Sequence, residues 1–355
     1  MAEARRRGWG FWGGLLCALV ASFAASDLSK FSTIPVFGVS KIEGVLKDVS
    51  QTAIMVAHCR SFAHSLGYVN DPIVGSLLPI PVKVSEALAL PRAWLMGYVE
   101  DPIGIFGWSK TRFERFQIAA RTNVIDSFVM KGLEEMASSA SSDGASLVIL
   151  GAGFDTRAYR LAIPPEIALF EVDTAPTQSA KRKLLLSSTS AEGGTAIKGA
   201  NGNNVTYVPV DFNNENFMDR VIQEGFDAGK PAVIVWEGVI PYLNAESINS
   251  TLETVAKRCA RGSVLIITFV NEIPTEAAAK DKVYGGGAIL EKIAKLGEPS
   301  AFQMPIGAEV HYMESFGFHV LSHLNSSRLE AMYFESIGDR TRVAGLFNVM
   351  ALETT

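Results

Sequence analysis

The chain has 355 residues and a formal net charge of −5; 48% of its residues are hydrophobic and 19% are charged. This composition is typical of a folded protein with an apolar core, and it excludes extensive disorder. The acidic balance disfavours nucleic-acid binding, which needs a basic surface, and we expect no nucleic-acid partner. Cys17, Cys59 and Cys259 lie far apart without a CxxC pair, so neither a disulfide framework nor a zinc finger is predicted.

The first 26 residues have the pattern of a targeting segment. Arg5, Arg6 and Arg7 precede an apolar run, residues 11–25, that ends in small side chains. The pattern predicts a signal peptide, with an uncleaved signal anchor as the alternative, because the run reaches a borderline length for a membrane span. We therefore expect secretory, membrane-anchored or organelle-targeted localisation. A membrane tether is expected only through residues 8–25.

From residue 40 to 355 the sequence predicts a single domain in four parts. Residues 40–136 have apolar side chains at helical spacing and are predicted to form a helical lid over the cofactor-binding core, residues 145–270. Residues 274–305 are predicted to be inserted lid helices, and residues 306–355 to be C-terminal strands.

Short apolar runs alternate with helical segments in the core. The predicted strands are Leu147–Leu150, Ala168–Val172, Thr206–Val210, Ala232–Trp236 and Val264–Thr268, followed by His319–Leu321, Ala331–Glu335 and Leu346–Leu352. The last two are expected to form a hairpin at Gly338–Asp339. Helices are predicted at Lys181–Leu186 and Ala245–Ala260. This alternation is typical of a doubly wound, mostly parallel α/β sheet.

The carboxyl ends of parallel strands are where such sheets bind ligands. The first strand is followed by Gly151 and Gly153, which allow a tight turn and close approach of the backbone to a ligand. About 20 residues later the second strand ends at Asp173, whose carboxylate can accept hydrogen bonds from both hydroxyls of a ribose.

Two cofactors use this pattern, a nicotinamide dinucleotide and S-adenosylmethionine. A dinucleotide fingerprint requires a third glycine where this chain has Thr156, and Asp155 would repel a pyrophosphate. A positively charged sulfonium cofactor is compatible with nearby acids. A nicotinamide-dependent oxidoreductase is therefore the alternative interpretation.

The next two strand ends also carry acids. Asp211 follows the third strand and is placed for an adenine amino group, beside Phe212 for the face of its ring. Glu237 follows the fourth strand. Acids at four consecutive strand ends favour an adenosyl group with a positive sulfur.

Several motifs resemble the leucine carboxyl methyltransferase family of S-adenosylmethionine-dependent enzymes, and most closely its branch without known substrates. They lie in order along the chain and cover nearly everything after residue 40. They are Ser50–Ala53, Ala120–Asp126, Leu150–Leu161, Phe170–Asp173, Val210–Phe212, Trp236–Leu243 and Gly297–Phe302.

The resemblance implies a methyltransferase-type Rossmann fold with an antiparallel last strand and a helical lid. It also implies that S-adenosyl-L-methionine is the cofactor. Arg121 would then pair with the methionine carboxylate, and Gly151 and Gly153 would form the cofactor turn. Asp173 would hold the ribose. The resemblance further assigns the adenine to Asp211 and Phe212, and the methionine amino group or the site floor to Glu237.

The predicted reaction is methyl transfer to an oxygen of an unidentified acceptor, a small molecule or a protein carboxylate. A carboxylate is ionised at pH 7 and needs no general base, whereas a hydroxyl acceptor would need one, with Glu237 or Tyr242 as candidates. We expect Tyr242 and either Arg157 or Arg160 to contact the substrate. A non-catalytic, partner-binding member of the family is a further alternative. His319 and His323 lack a third ligand, and we expect no metal site.

Overall fold

A computed structural model describes most of the chain from Val49 onwards. The residues described are 49–79, 83, 109–138, 144–188, 198–274, 285–334 and 343–355. All of them belong to one compact unit, Glu43–Thr355. The predicted leader lies outside the described residues and, like the domain boundaries, stays a prediction. Within the described ranges, no helix is long and apolar enough to cross a membrane.

The described residues form a seven-stranded sheet surrounded by helices. The strands are β1 (Ser146–Leu150), β2 (Ala168–Asp173), β3 (Val205–Pro209), β4 (Ala232–Trp236), β5 (Val264–Val270), β6 (Phe318–Asn325) and β7 (Phe347–Thr354). The α-helices are α1 (Gln51–Ser65), α2 (Ser109–Ala137), α3 (Arg157–Arg160), α4 (Ala175–Ser188), α5 (Phe217–Gln223), α6 (Ala245–Arg258), α7 (Gly286–Lys295), α8 (Glu309–Glu314) and α9 (Ser326–Tyr333). Short 3-10 helices lie at Val74–Leu77 and Ile240–Tyr242.

The strand order is β3-β2-β1-β4-β5-β7-β6. Strands β1 to β5 pair in parallel, and β7 runs antiparallel to both β5 and β6. The predicted mostly parallel α/β sheet with an antiparallel last strand is therefore confirmed. The chain leaves β1 towards β2 and later returns to its other side with β4, so the order reverses between β1 and β4. Ligands bind at such a reversal in doubly wound sheets.

Both faces of the sheet are buried, which explains the continuous apolar runs of its central strands. Every residue of β1, β4 and β5 is buried. Along β1, Val148 and Leu150 pack in one core cluster, whereas Leu147 and Ile149 pack in the other. Helix α2 covers the second face so closely that a Cβ on Gly132 would lie 2.9 Å from Cγ2 of Val233.

One predicted strand is wrong. Residues 331–335 were expected to form a strand paired with the last one, but residues 326–333 form helix α9, and β7 pairs with β5 and β6 instead. The side chain of Asn325 caps α9 by accepting a hydrogen bond from the Arg328 backbone N–H at 3.1 Å. Leu329 is fully buried in the second core cluster, and Tyr333, one turn later, packs against it. The expected turn at Gly338–Asp339 lies outside the described residues.

Candidate functional site

A cavity of about 590 Å³ opens at the carboxyl ends of the parallel strands, where the strand order reverses. Its lining includes Ser50, Thr52, Ala53, Val56 and Ala57 of the α1 region, and Gly297 to Pro299, which precede α8. The cavity brings together all the residues that the sequence analysis placed around a cofactor. They are Arg121, Gly151, Gly153, Asp173, Asp211, Phe212 and Glu237, and Tyr242 lies among them.

The turn after β1 requires its two glycines. Gly151 has a φ of 62° and Gly153 a φ of 38°, in the left-handed region that favours glycine. A Cβ on Gly151 would lie 2.2 Å from Cγ2 of Val239, a distance that real Cβ atoms do not show. The turn therefore passes directly against the segment after β4, and its backbone lines the cavity.

Asp173 ties this turn to the end of β2. Its Oδ2 accepts a hydrogen bond from the Gly153 backbone N–H at 2.6 Å, and its Oδ1 accepts one from the Thr174 backbone N–H at 2.6 Å. Burial raises the pKa of Asp173, although both hydrogen bonds act to lower it. Oδ1 also accepts from the Thr174 hydroxyl at 3.2 Å, whereas Oδ2 keeps a second lone pair, so Asp173 can still accept a hydrogen bond from a ligand in the cavity.

Asp211 and Phe212 lie in the cavity lining after the end of β3. Oδ1 of Asp211 accepts from the Asn213 backbone N–H at 3.0 Å, and Oδ2 accepts from Nδ2 of Asn214 at 2.7 Å. These bonds hold the turn after β3 in an Asx-type conformation. The Phe212 ring packs on that of Phe217, with 6.1 Å between their centroids. The pair presents an acceptor beside an aromatic ring to the cavity.

Glu237 is ion-paired on both of its oxygens. Nε of Arg121 lies 2.7 Å from Oε1, and Nη1 of Arg157 lies 2.5 Å from Oε2. Burial acts to raise the pKa of Glu237, but the two guanidinium groups outweigh it, so the pKa is lower than its ordinary value. Glu237 is therefore a carboxylate with little tendency to take a proton.

Arg157 and Arg160 do not occupy the position that the sequence analysis gave them. The side chain of Arg157 is 1% exposed, and it pairs with Asp126 at 2.8 Å and with Asp155 at 2.5 Å in addition to Glu237. Arg160 pairs with Asp126 at 2.7 Å and is 4% exposed. Neither lines the cavity among the residues described. In the structure their guanidinium groups neutralise buried carboxylates, and the expected substrate contact stays a prediction.

These pairs belong to a larger buried network, the arginine–carboxylate network, which the sequence analysis missed. Thr156, which stands where a dinucleotide fingerprint has glycine, donates its hydroxyl to Asp71 at 2.6 Å and accepts from Nε of Arg160 at 3.0 Å. Arg60 also pairs with Asp71, at 2.6 Å. The network consists of Arg60, Arg121, Arg157 and Arg160 with Asp71, Asp126, Asp155 and Glu237.

Glu298 connects the segment before α8 to the first turn of α1 at the rim of the cavity. Its Oε1 accepts from the Gln51 backbone N–H at 2.8 Å, and its Oε2 accepts from the Ser50 hydroxyl at 2.9 Å. Ser50 in turn caps α1 through the Ala53 backbone N–H at 3.1 Å. The first turn of α1 is thus held across the cavity by a residue almost 250 positions away in the chain.

Comparison with known proteins agrees with this geometry. The family model for leucine carboxyl methyltransferase matches residues 48–256. The chain belongs to this family. A relative from Frankia alni, named “Putative S-adenosyl-L-methionine-dependent methyltransferase”, is 32% identical over 67% of this chain and 74% of its own length. One from Mycolicibacterium paratuberculosis with the same description is 28% identical over 65% of this chain and 69% of its own length.

Fold comparison supports the architecture alone. A DUF574 family protein from Streptomyces avermitilis has a TM-score of 0.50 and 11% sequence identity, over 88% of this chain and all of its own. As a leucine carboxyl methyltransferase family member, the chain is an S-adenosyl-L-methionine-dependent methyltransferase. The residues present fit this cofactor. The acids and Phe212 match an adenosyl group, whereas Arg121 beside Glu237 matches the charges of an amino acid.

Proposed function

We propose that the chain methylates an oxygen, and specifically a carboxylate oxygen, of its acceptor. The observation that carries this proposal is the state of Glu237 and Tyr242, the two residues that the sequence analysis named as candidate bases. Glu237 is held ionised by Arg121 and Arg157, and its pKa is lowered. Burial raises the pKa of Tyr242, so its phenolate is harder to form. An acceptor that is already ionised needs neither group.

The cofactor roles follow from the positions around the cavity. We propose that Asp173 binds the ribose hydroxyls and that Asp211 and Phe212 contact the adenine. Arg121 pairs with the methionine carboxylate through its Nη atoms, because its Nε is engaged by Glu237. Glu237 accepts a hydrogen bond from the methionine amino group. Gly151 and Gly153 let the backbone approach the cofactor.

The cofactor supplies a methyl group on a positively charged sulfur. The protein contributes orientation and exclusion of water to this in-line displacement. Arg121 and Glu237 fix the methionine end of the ligand, and Asp173 fixes the ribose. The first turn of α1, held by Glu298, lines the same cavity. No side chain has to move a proton when the acceptor is a carboxylate.

The pH dependence of methyl transfer tests this proposal. Transfer of labelled methyl from S-adenosylmethionine is measured with small carboxylic acids, alcohols, phenols and a peptide ending in leucine, the residue in the family's name. A carboxylate acceptor gives a rate that is flat between pH 6 and 9, since the acid is ionised throughout this range. A rate that rises with pH, on alcohols or phenols only, contradicts the proposal. Cofactor binding without transfer to any acceptor favours the non-catalytic alternative.

We also propose that residues 1–26 direct the chain to the secretory pathway, a membrane or an organelle. The support is the order of basic, apolar and small residues in the sequence. N-terminal sequencing of the mature protein, with fractionation of cells that express a C-terminally tagged chain, tests this. An uncleaved chain in the soluble cytosolic fraction contradicts it.

A further inference from the structure

A second, smaller cavity of about 70 Å³ adjoins the cofactor cavity. The two share five lining residues: Thr52, Val56, Arg121, Gly238 and Tyr242. A group bound in the smaller cavity would therefore lie next to the end of the cofactor cavity where Arg121 and Glu237 meet.

The walls of the small cavity are mostly apolar. Helix α7 contributes Ile289, Leu290 and Ile293, all of which are buried. Met55 of α1 and Val270 at the end of β5 lie among the other lining residues. Binding sites for small molecules have this character, an apolar wall with a few polar groups that converge at one place.

Gln117 is a polar group without a partner in this wall. It lies on α2 one turn before Arg121, so the two side chains share a face of the helix. Its residue exposure is 1%, and Nε2 has no hydrogen-bond partner in the part of the chain that the structure describes. A buried N–H without an acceptor is unfavourable, because the hydrogen bonds to water that it loses on burial are not replaced. A ligand oxygen in the small cavity would remove this penalty.

Arg121 is the one charged side chain among the described residues that line the small cavity. Its Nε lies 2.7 Å from Oε1 of Glu237, and the residue lines both cavities. Since Nε2 of Gln117 can only donate a hydrogen bond, the wall favours an acceptor such as a carboxylate oxygen and disfavours an ammonium group, which has no acceptor.

We propose that the small cavity is the acceptor subsite and that it takes a short, apolar monocarboxylate. The carboxylate lies at the junction, where Nε2 of Gln117 and the hydroxyl of Tyr242 can donate to it. The alkyl tail lies against α7. A cavity of about 150 Å³ holds benzene, so about 70 Å³ holds a tail of roughly three or four carbon atoms. This inference rests on the proposed carboxyl methylation and names its substrate class.

The reaction at this subsite balances without a further reactant. The acceptor carboxylate oxygen forms a bond to the methyl carbon while the bond from that carbon to sulfur breaks. The electron pair of the broken bond stays on sulfur, which becomes neutral. The products are a methyl ester and S-adenosylhomocysteine, and no proton is transferred.

Binding of pentanoate to the full-length protein saturated with S-adenosylhomocysteine tests the subsite. The dissociation constant is measured by ligand-observed NMR, with 1-pentylamine, glutarate and decanoate as comparisons. We expect pentanoate to bind at least about tenfold more tightly than each of the other three. Pentylamine has an ammonium group in place of the carboxylate, glutarate has a second carboxylate that would meet the apolar wall, and decanoate has a tail too long for the cavity. Equal binding of pentylamine, or tighter binding of decanoate, would overturn the inference.

Two substitutions locate the bound acid, each with a matched control. Ile293→Phe fills the small cavity and should abolish pentanoate binding, whereas Ala294→Phe places the same ring on the exposed side of α7. Gln117→Leu removes the donor and should weaken binding about tenfold, whereas Gln223→Leu makes the same change at an exposed site. Unchanged pentanoate binding in both test variants would overturn the inference.

Binding of S-adenosylhomocysteine separates the two proposals. Both test variants should keep their affinity for it, which also shows that they fold. If wild type binds S-adenosylhomocysteine and methylates other carboxylates but not pentanoate, the subsite inference fails and the proposed function stands. If wild type does not bind S-adenosylhomocysteine, both fail.

Discussion

At the scale of single residues, Asp173 combines a structural and a proposed binding role. Asp173→Asn keeps the size of the side chain but removes the charge that we expect to bind the ribose. We predict a dissociation constant for S-adenosylhomocysteine at least about tenfold higher, measured by isothermal titration calorimetry. Asp227→Asn is the control, because Asp227 is exposed and also accepts a backbone N–H, that of Gly229 at 2.9 Å. Equal affinity in the two variants would refute the ribose assignment.

Glu237 gives a prediction about pH and stability. Glu237→Gln leaves Arg121 and Arg157 without their shared carboxylate, so we expect the free energy of unfolding to fall by about 3–5 kcal/mol. Because the pKa of Glu237 is lower in the folded than in the unfolded chain, its contribution is full above the ordinary value of 4.5 and is lost as the pH falls through the folded value.

The difference between wild type and Glu237→Gln should therefore be constant from pH 6 to 8 and shrink below about pH 4.5. Urea unfolding at each pH measures it. Glu253→Gln, at an exposed pair with Lys257, should change stability by less than about 0.5 kcal/mol throughout. A Glu237 effect that grows in acid would contradict the ion pairing seen here.

Residues at strand ends could be predicted from the sequence, and the arginines beneath them could not. Asp173 and Glu237 follow apolar runs, and the carboxyl ends of parallel strands meet at one edge of the sheet. Arg157 also follows β1, but its partners Asp126 and Glu237 lie 31 and 80 positions away. No local pattern reports such distant pairing, so its burial beneath the cavity was not predicted.

At the scale of elements, the turn between β1 and α3 is restricted in conformation and in space. Gly151→Ala places a Cβ at positive φ and 2.2 Å from Val239. We predict a loss of stability clearly greater than in Gly202→Ala, where φ is 82° and nothing lies within 4 Å, so that variant reports the backbone cost of about 1–2 kcal/mol alone.

The double variant Gly151→Ala/Val239→Ala removes the clash but keeps the strained backbone. We therefore expect Gly151→Ala to cost less stability in the Val239→Ala background than in the wild type. Thermal unfolding of the four proteins would show this. No recovery would mean that the conformation of the turn, and not its contact with Val239, requires glycine.

The sequence predicted the strands well where an apolar run was compatible with a buried strand and not with a helix. Strands β1, β2, β4 and β5 are buried runs of five to seven residues bounded by turns, and they lie where the sequence placed them. Residues 331–335 were misassigned because a short apolar run does not distinguish a strand from a helix that buries one face. The cap at Asn325, which lies before the run, and the spacing of Leu329 and Tyr333, which extends beyond its first residue, decide for the helix.

At the scale of the whole molecule, the arginine–carboxylate network joins segments that are distant in the chain. Asp126 of α2 binds Arg157 and Arg160 of α3, and Arg157 in turn binds Glu237 after β4. Arg60 of α1 reaches the same region through Asp71 and the backbone carbonyl of Phe154. Four arginines balance four carboxylates, which is how buried charges are tolerated.

Asp126 tests whether this network connects helix α2 to the cofactor site, because it does not line the cavity among the residues described. Asp126→Asn leaves two buried guanidinium groups short of a negative charge, and we predict a loss of about 3–5 kcal/mol in urea unfolding. Asp219→Asn, at the exposed pair with Arg258, should cost less than about 1 kcal/mol. Since Arg157 also orients Glu237, Asp126→Asn should weaken S-adenosylhomocysteine binding as well. A destabilised variant with unchanged affinity would show that the network supports the fold without positioning the site.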